Sequence, residues 1–339
     1  MRAAIVGRHG GPEVLRIQEV PRPVPGRGEV LVRIKAIGLN FADVVERLGV
    51  YPGIPKPPFI PGMEFSGIVE DVGNGVTQYR GGERVMGYCF VGSHAEYVAV
   101  PVQQTDVVPE NMSFEEGAAF LVANLTAYHG LVTLARAQRR EKVLVHAAAG
   151  SVGLAAIQLA KYLGLEVFAA ASTEKKLAAA QGQGADHLIN YVAKKFDEEV
   201  LRASDGYGLD IVFDSVGGRL FKPGWSILAP MGRYVLYGFA DAFGVGKFNK
   251  LKAAGAYFSM PRIHPASLPS LNRALIGFNL SKLTQKVEYL RTAAKEIRRL
   301  HEEGILKPIV GKVFRFEEIR QAHEFLQSRK SIGKTVIVV

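Results

Sequence analysis

The chain has 339 residues, 48% of them hydrophobic and 22% charged, enough to bury a large core in about two domains. That composition excludes a disordered protein and a fibrous repeat, and the single cysteine, Cys89, excludes a disulfide-stapled miniprotein. The formal net charge is +10, from 42 Lys and Arg against 32 Asp and Glu, so the excess either meets an acidic partner or solubilises the chain.

One cysteine allows no intramolecular disulfide and no multi-thiolate zinc site, and the expected location is cytoplasmic. The amino-terminal MRAAIVGRHGG lacks the form of a secretory signal. No stretch approaches the roughly 18 uninterrupted apolar residues of a membrane span. There is no internal repeat and no low-complexity tract.

Short β-rich runs broken by Pro and Gly come first: Glu29 to Lys35, Gly67 to Val72, Glu83 to Gly87 and Ala95 to Val100. They predict a barrel-like β domain. From about Glu141 buried-looking strands alternate with amphipathic helices, the sequence form of a doubly wound parallel sheet. The predicted strands are Lys142 to Ala147, Glu166 to Ser172, His187 to Tyr191, Leu209 to Asp214, Arg233 to Gly238 and Ala274 to Leu280, as a six-stranded Rossmann sheet requires. A helical stretch runs from Leu283 to about Glu303, and β-rich texture resumes at Lys312 to Phe316 and Thr335 to Val339. The expected division is a β-rich domain of 1–122 with 282–339, and a dinucleotide-binding domain of 123–281.

The first strand of this second region ends in Ala147-Ala148-Ala149-Gly150-Ser151-Val152-Gly153, and a helix from Leu154 to Leu163 follows at once. A small residue at 147 with Gly150 and Gly153 lets backbone approach a pyrophosphate, which meets free amides of Ser151 and Val152 at the positive end of the helix dipole. The next strand ends in Ala171-Ser172-Thr173, without the acid that an NAD site offers the ribose 2′-hydroxyl. Glu174 follows, then Lys175 and Lys176, so the loop suits a 2′-phosphate and the expected cofactor is NADPH. The competing reading makes those lysines the solvated first turn of a helix. His146 reads as a satisfied core histidine.

Between Gly238 and Arg273 lies an insertion rich in Gly, Phe and Lys, including Phe239, Phe243, Lys247, Phe248, Lys250, Lys252, Tyr257, Phe258 and Met260. It is expected to overhang the active cleft. Apolar groups interleaved with lysines also suit a membrane surface, and a surface excursion with a small core of its own is the third reading. No RNA- or DNA-binding motif is present.

With the glycine turn, Gly184-Ala185-Asp186-His187-Leu188-Ile189-Asn190-Tyr191 and Asn40-Phe41-Ala42-Asp43 in view, the chain resembles the medium-chain dehydrogenase/reductase superfamily, and within it the zinc-free quinone oxidoreductases. Pro61-Gly62-Met63-Glu64, Leu125-Thr126-Ala127-Tyr128 and Gly277-Phe278-Asn279-Leu280 look most like the vesicle amine transport protein-like branch. The resemblance implies a GroES-like β-rich domain beside the Rossmann domain. It implies that Lys176 and Tyr191 bind the 2′-phosphate and that Thr126 packs the nicotinamide ring. Gly238, Phe278 and Asn279 then hold the nicotinamide end, and Lys334 offers a cation to the pyrophosphate. It also implies a homodimer, with Ala274 to Leu280 pairing across a twofold axis.

Zinc enzymes of the superfamily carry ligands at the positions of Asn40, Met63 and Val122; an amide, a thioether and an alkyl group cannot form their tetrahedral nitrogen and sulfur site. Without a Lewis acid, oxidation of simple alcohols is disfavoured, whereas quinones and α,β-unsaturated carbonyls accept hydride at an already electrophilic carbon. The resemblance implies that Asn40 and Tyr51 donate to the substrate oxygen. The rival from another class is a nucleotide-loaded protein that binds lipid or RNA, with vestigial reductase activity.

Overall fold

The computed structural model describes residues 1–243, 250–283 and 285–339 and divides into two compact units. One holds Met1–Val122 and Pro308–Val339, and the other runs from Ala123 to Lys307. The return to the first unit therefore comes at Pro308 and not at 282. The helix Val287–Glu302 accounts for the difference: it buries Leu290, Ala293, Ile297 and Leu300, and its Tyr289 hydroxyl lies 2.6 Å from His129 Nδ1 in the second unit.

The strands, in chain order, are β1 (Arg2–Val6), β2 (Leu15–Glu19), β3 (Glu29–Leu39), β4 (Glu64–Val72), β5 (Arg84–Tyr88), β6 (Tyr97–Pro101) and β7 (Thr105–Val107). The second unit contributes β8 (Lys142–His146), β9 (Glu166–Ala171), β10 (His187–Asn190), β11 (Leu209–Asp214), β12 (Leu228–Leu236) and β13 (Ala274–Gly277). The chain then adds β14 (Val310–Arg315) and β15 (Lys334–Val338) to the first unit.

In the first unit β1 and β2 pair as an antiparallel ribbon, and the larger sheet has the order β14-β15-β3-β4-β5-β7, with β6 paired to β3. All its pairings are antiparallel except β14 with β15. Val30, Val32 and Ile34 alternate inward along β3 and pack with Phe65, Val85, Val98, Val100, Phe314 and Ile337. Register is thereby set, because a one-residue slip would turn this set to solvent.

In the second unit six parallel strands have the order β10-β9-β8-β11-β12-β13, the predicted Rossmann arrangement. Val143 to Val145, Val167 to Ala171 and Ile211 to Phe213 are buried without alternation, as strands covered on both faces must be. The strand expected at Arg233 begins at Leu228. The added residues, with Pro230 and Gly232 among them, are absorbed in a register shift against β11, with Met231 at φ 66°.

His146 is buried edge-on against Phe196, yet neither ring nitrogen has a hydrogen-bond partner, so it is a core histidine but not a satisfied one. Among the described residues one helical run, Phe114–Leu134, is long and apolar enough to cross a bilayer, and 72% of its most apolar window is buried as in a core helix. In the insertion, the turn Ala240–Phe243 and the helix Lys250–Phe258 are described. Lys247 and Phe248 lie outside the described residues, as do the side chains of Lys250 and Lys252.

Candidate cofactor and substrate residues

Because all six strands of the second unit are parallel, their carboxyl ends share one edge of the sheet, and most of the predicted cofactor residues follow those ends. Gly150 caps the helix Ser151–Tyr162 in extended conformation (φ −73°, ψ 165°), so the helix starts at Ser151, within the glycine turn, and not at Leu154. No side chain caps it, which leaves first-turn amides of Ser151, Val152 and Gly153 directed at whatever occupies the turn. Ala147 takes φ 50° to make the bend. At Gly153 an added Cβ would lie 2.5 Å from the Ala147 carbonyl oxygen and 2.7 Å from that of Ala148, so only glycine allows this approach of helix to strand.

Ser172 follows β9 and Tyr191 follows β10. The register pairs Asn190 with Ala171, and the Tyr191 amide donates to the Ala171 carbonyl at 3.2 Å, bringing Tyr191 to the end of β9. Lys176 Nζ donates to Ser172 Oγ at 3.4 Å, and Thr173 caps the helix Glu174–Gln181 by accepting from the Lys176 amide. Glu174, the nearest acid in the loop, accepts from Asn190 Nδ2 at 2.9 Å. The Ser172 hydroxyl and the Lys176 ammonium thus meet where an NAD site carries a carboxylate, with the backbone of Tyr191 alongside and its ring packed against the sheet's apolar core, and a hydroxyl with an ammonium is a donor pair that fits a 2′-phosphate.

At the far side of the same edge, Gly238 follows β12 and Phe278 with Asn279 follows β13. A Cβ on Gly238 would lie 2.5 Å from the Ser215 carbonyl oxygen. That loop is held by Asp214, whose carboxylate accepts from the Val216 amide at 2.7 Å and from the Tyr234 hydroxyl at 2.6 Å. Phe278 stacks at 5.7 Å on Tyr237, and Asn279 Oδ1 accepts from the Ser281 amide at 3.0 Å. Thr126 is buried on the helix Leu121–Tyr128.

The first unit holds the remaining predicted residues. Tyr51 is half-buried with its ring 6.0 Å from Phe90. Asn40 caps the helix Phe41–Arg47 in a capping box with Asp43. Its Oδ1 accepts from Lys334 Nζ at 2.7 Å, and its Nδ2 donates to the Gly38 carbonyl and to Glu64 Oε2, each at 3.2 Å. Lysine only donates, so the amide orientation is fixed and both amide protons are engaged within the unit. Lys334 is 1% exposed and forms an ion pair with Glu64 as well, which corrects the expectation of a cation free for a pyrophosphate. The same geometry makes Asn40 a scaffold residue and not a donor to substrate.

Around this triad lies a buried polar cluster absent from the sequence expectations. Asp43, Glu46, Arg47, His94 and His323 are all fully buried. Burial pushes the Asp43 carboxyl up to about 7 and holds His94 neutral down to about 3. Burial, reinforced by His94 and Arg47, keeps His323 neutral too. His94 Nε2 stands 3.9 Å from Asp43 Oδ2, and the two imidazoles are 5.2 Å apart.

Residues 26–110 match the alcohol dehydrogenase GroES-like domain and residues 183–337 the zinc-binding dehydrogenase domain. The chain is 37% identical over 341 residues to the synaptic vesicle membrane protein VAT-1 homolog of Homo sapiens, covering 100% of this chain and 86% of that one. It is 30% identical to the quinone oxidoreductase of Rattus norvegicus, covering 100% and 98% of the two chains. The chain belongs to the zinc-free quinone oxidoreductases of the medium-chain dehydrogenase/reductase superfamily. Among solved structures of the family, that of the human VAT-1 homolog-like protein superposes with a TM-score of 0.87 at 33% identity, covering 100% and 98% of the chains. The Escherichia coli quinone oxidoreductase complexed with NADPH gives 0.88 at 29% identity, with both chains fully covered.

One domain model carries zinc in its name, yet where the resemblance places the superfamily's zinc ligands this chain has Asn40, Met63 and Val122. Among the described residues no group of three or more His, Cys, Asp or Glu is arranged to hold a metal ion. Glu64 stands beside Met63 and turns instead to Lys334, Asn40 and the Val122 amide, to which its Oε1 is an acceptor at 2.8 Å. Pro61-Gly62-Met63-Glu64 signals the family in sequence, but nothing in its spacing announces that Glu64 would anchor Lys334.

Proposed function

We propose that the protein is an NADPH-dependent, zinc-independent reductase of quinones or α,β-unsaturated carbonyls. The observation that carries this reading is the Lys176 ammonium on the Ser172 hydroxyl at the end of β9, with Glu174 turned aside to Asn190 and the backbone of Tyr191 brought alongside by the β9–β10 register. Kinship with quinone oxidoreductases, and with a structure complexed with NADPH, supports it. Bound NADPH supplies a hydride to an electrophilic carbon of the acceptor. Lys176, Ser172 and Tyr191 hold the 2′-phosphate, the first-turn amides of Ser151, Val152 and Gly153 hold the pyrophosphate, and Thr126, Gly238, Phe278 and Asn279 frame the nicotinamide. By the family resemblance Tyr51 is the residue that donates to the acceptor oxygen.

The test is steady-state kinetics of Lys176→Ala with a naphthoquinone. Removing one charge-assisted contact raises the NADPH KM about tenfold or more and leaves the NADH KM within about twofold. Equal effects on the two cofactors would overturn the assignment. We further propose a cytoplasmic homodimer. The free and buried Cys89 supports the location, and the edge position of β13, which leaves Leu275 partly exposed, supports pairing between copies.

One observation favours a second reading, attachment to an anionic membrane surface. Between Asp241 and Glu288 there is no acidic residue, while Lys247, Lys250, Lys252, Arg262, Arg273, Lys282 and Lys286 fall within that span. In it Leu251, Tyr257 and Phe258 are 84%, 64% and 73% exposed. Similarity to proteins named for a vesicle membrane points the same way. Flotation with phosphatidylserine vesicles that persists at physiological salt supports this reading, and loss of binding as salt rises reduces it to generic attraction.

A further inference from the structure

His129 begins a π-helical turn, His129–Leu134, that ends the helix carrying Thr126, and it is a buried histidine to which the proposed reaction gives no role. Its Nδ1 lies 2.6 Å from the Tyr289 hydroxyl, which is in turn 2.8 Å from Thr133 Oγ1. A hydrogen-bonded chain therefore ties this turn to the helix Val287–Glu302, across 160 residues of sequence between His129 and Tyr289. The imidazole also meets Phe278 edge to face at 4.9 Å and 82°, while Tyr237 stacks on Phe278 at 5.7 Å. Gly130 makes the approach possible: a Cβ there would lie 2.3 Å from the Phe213 ring and 3.2 Å from that of Phe278.

We infer that His129, oriented by Tyr289 and Thr133, is a positioning residue that fixes Phe278 and with it the Phe278-Asn279 segment against which the nicotinamide is held. The inference rests on the proposed reading of Phe278 and Asn279. A phenol hydroxyl bonded to one ring nitrogen stops rotation of the imidazole about its Cβ–Cγ bond, so the edge presented to Phe278 is constant. Rings packed by dispersion alone would leave Phe278 several orientations. A nicotinamide displaced by even 1 Å from its acceptor loses much of its rate while the phosphates keep their grip.

The experiment uses the full chain and two variants, Tyr289→Phe, which removes a single oxygen, and His129→Phe, which keeps a ring against Phe278 but loses the bond. NADPH affinity and the fluorescence lifetime of bound NADPH are measured first, and then the single-turnover rate of naphthoquinone reduction per bound cofactor. That rate does not depend on the folded fraction. The expected result is NADPH Kd within about threefold of wild type, a shortened lifetime from a more mobile nicotinamide, and a rate lower by about tenfold in both variants. The double variant is no worse than either single one, because they remove the same bond. An unchanged rate and lifetime, or a loss of rate matched by an equal loss of affinity, overturns the inference. Wild-type protein that does not bind NADPH overturns the functional reading itself, before any variant is compared.

Discussion

Lys334 is the residue whose environment departs furthest from its sequence expectation. Its ammonium is buried between Glu64 and Asn40, so removing it leaves a carboxylate uncompensated in the core. Lys334→Met is expected to lower unfolding free energy by about 3 to 5 kcal/mol in a denaturant titration, and Glu64→Gln added to it restores part of the loss. The buried histidines give a second prediction. His94 stays neutral in the fold down to about 3, against 6.5 when unfolded, so its contribution is complete above 6.5 and is lost as pH falls toward 3. His94→Phe should flatten this limb, with the wild type losing roughly 3 kcal/mol relative to the variant by pH 4, measured by urea unfolding. Asp43, raised to about 7, works in the opposite direction, stabilising below 3.8 and losing that contribution as pH rises through 7. The residues after strand ends were legible in the sequence because a parallel sheet aligns its carboxyl ends; the His94 and His323 pair was not, since the two imidazoles come from segments 229 residues apart whose proximity no spacing encodes.

At the scale of elements, the Rossmann strands could be read because doubly covered strands are unbroken apolar runs. β1, β2 and β7 escaped notice: β2 is Leu-Arg-Ile-Gln-Glu with mostly exposed residues, and β7 has only three residues, so neither carries a clear pattern. The turn between β8 and its helix makes a sharp prediction. Gly153→Val should raise the NADPH Kd at least about tenfold and lower Tm, since the helix start must retreat from the Ala147 and Ala148 carbonyls. Gly255→Ala is the contrast: it lies within the helix Lys250–Phe258 with nothing near its added Cβ, and should stabilise by up to about 1 kcal/mol without altering cofactor affinity. Calorimetry and fluorescence titration of the two variants check both.

For the whole molecule, the +10 charge that opens the sequence has more than one destination. Lys334 is neutralised inside the core, Lys176 lies on the Ser172 hydroxyl where the proposed reading places the 2′-phosphate, and Arg291 and Arg299 pair with Glu288, Glu296 and Glu303 along the surface of one helix. Such surface pairs contribute little to stability. The acid-free span from 242 to 287 is the remaining concentration of positive charge. Sedimentation should give twice the monomer mass, and Leu275→Arg on the β13 edge should shift the molecule to monomer, whereas an unshifted dimer would place the interface elsewhere.

The position of β15 between β14 and β3 bears on how the chain is made. The ribosome delivers β3 early but its neighbour β15 only after every residue of the second unit has emerged. During synthesis the Rossmann unit can close while the Ala36–Leu39 end of β3 still lacks its β15 partner, β6 already pairing Glu29–Arg33. That short unpaired edge is a template for edge-to-edge association until β15 emerges, so completion of the first unit waits on translation of the intervening residues.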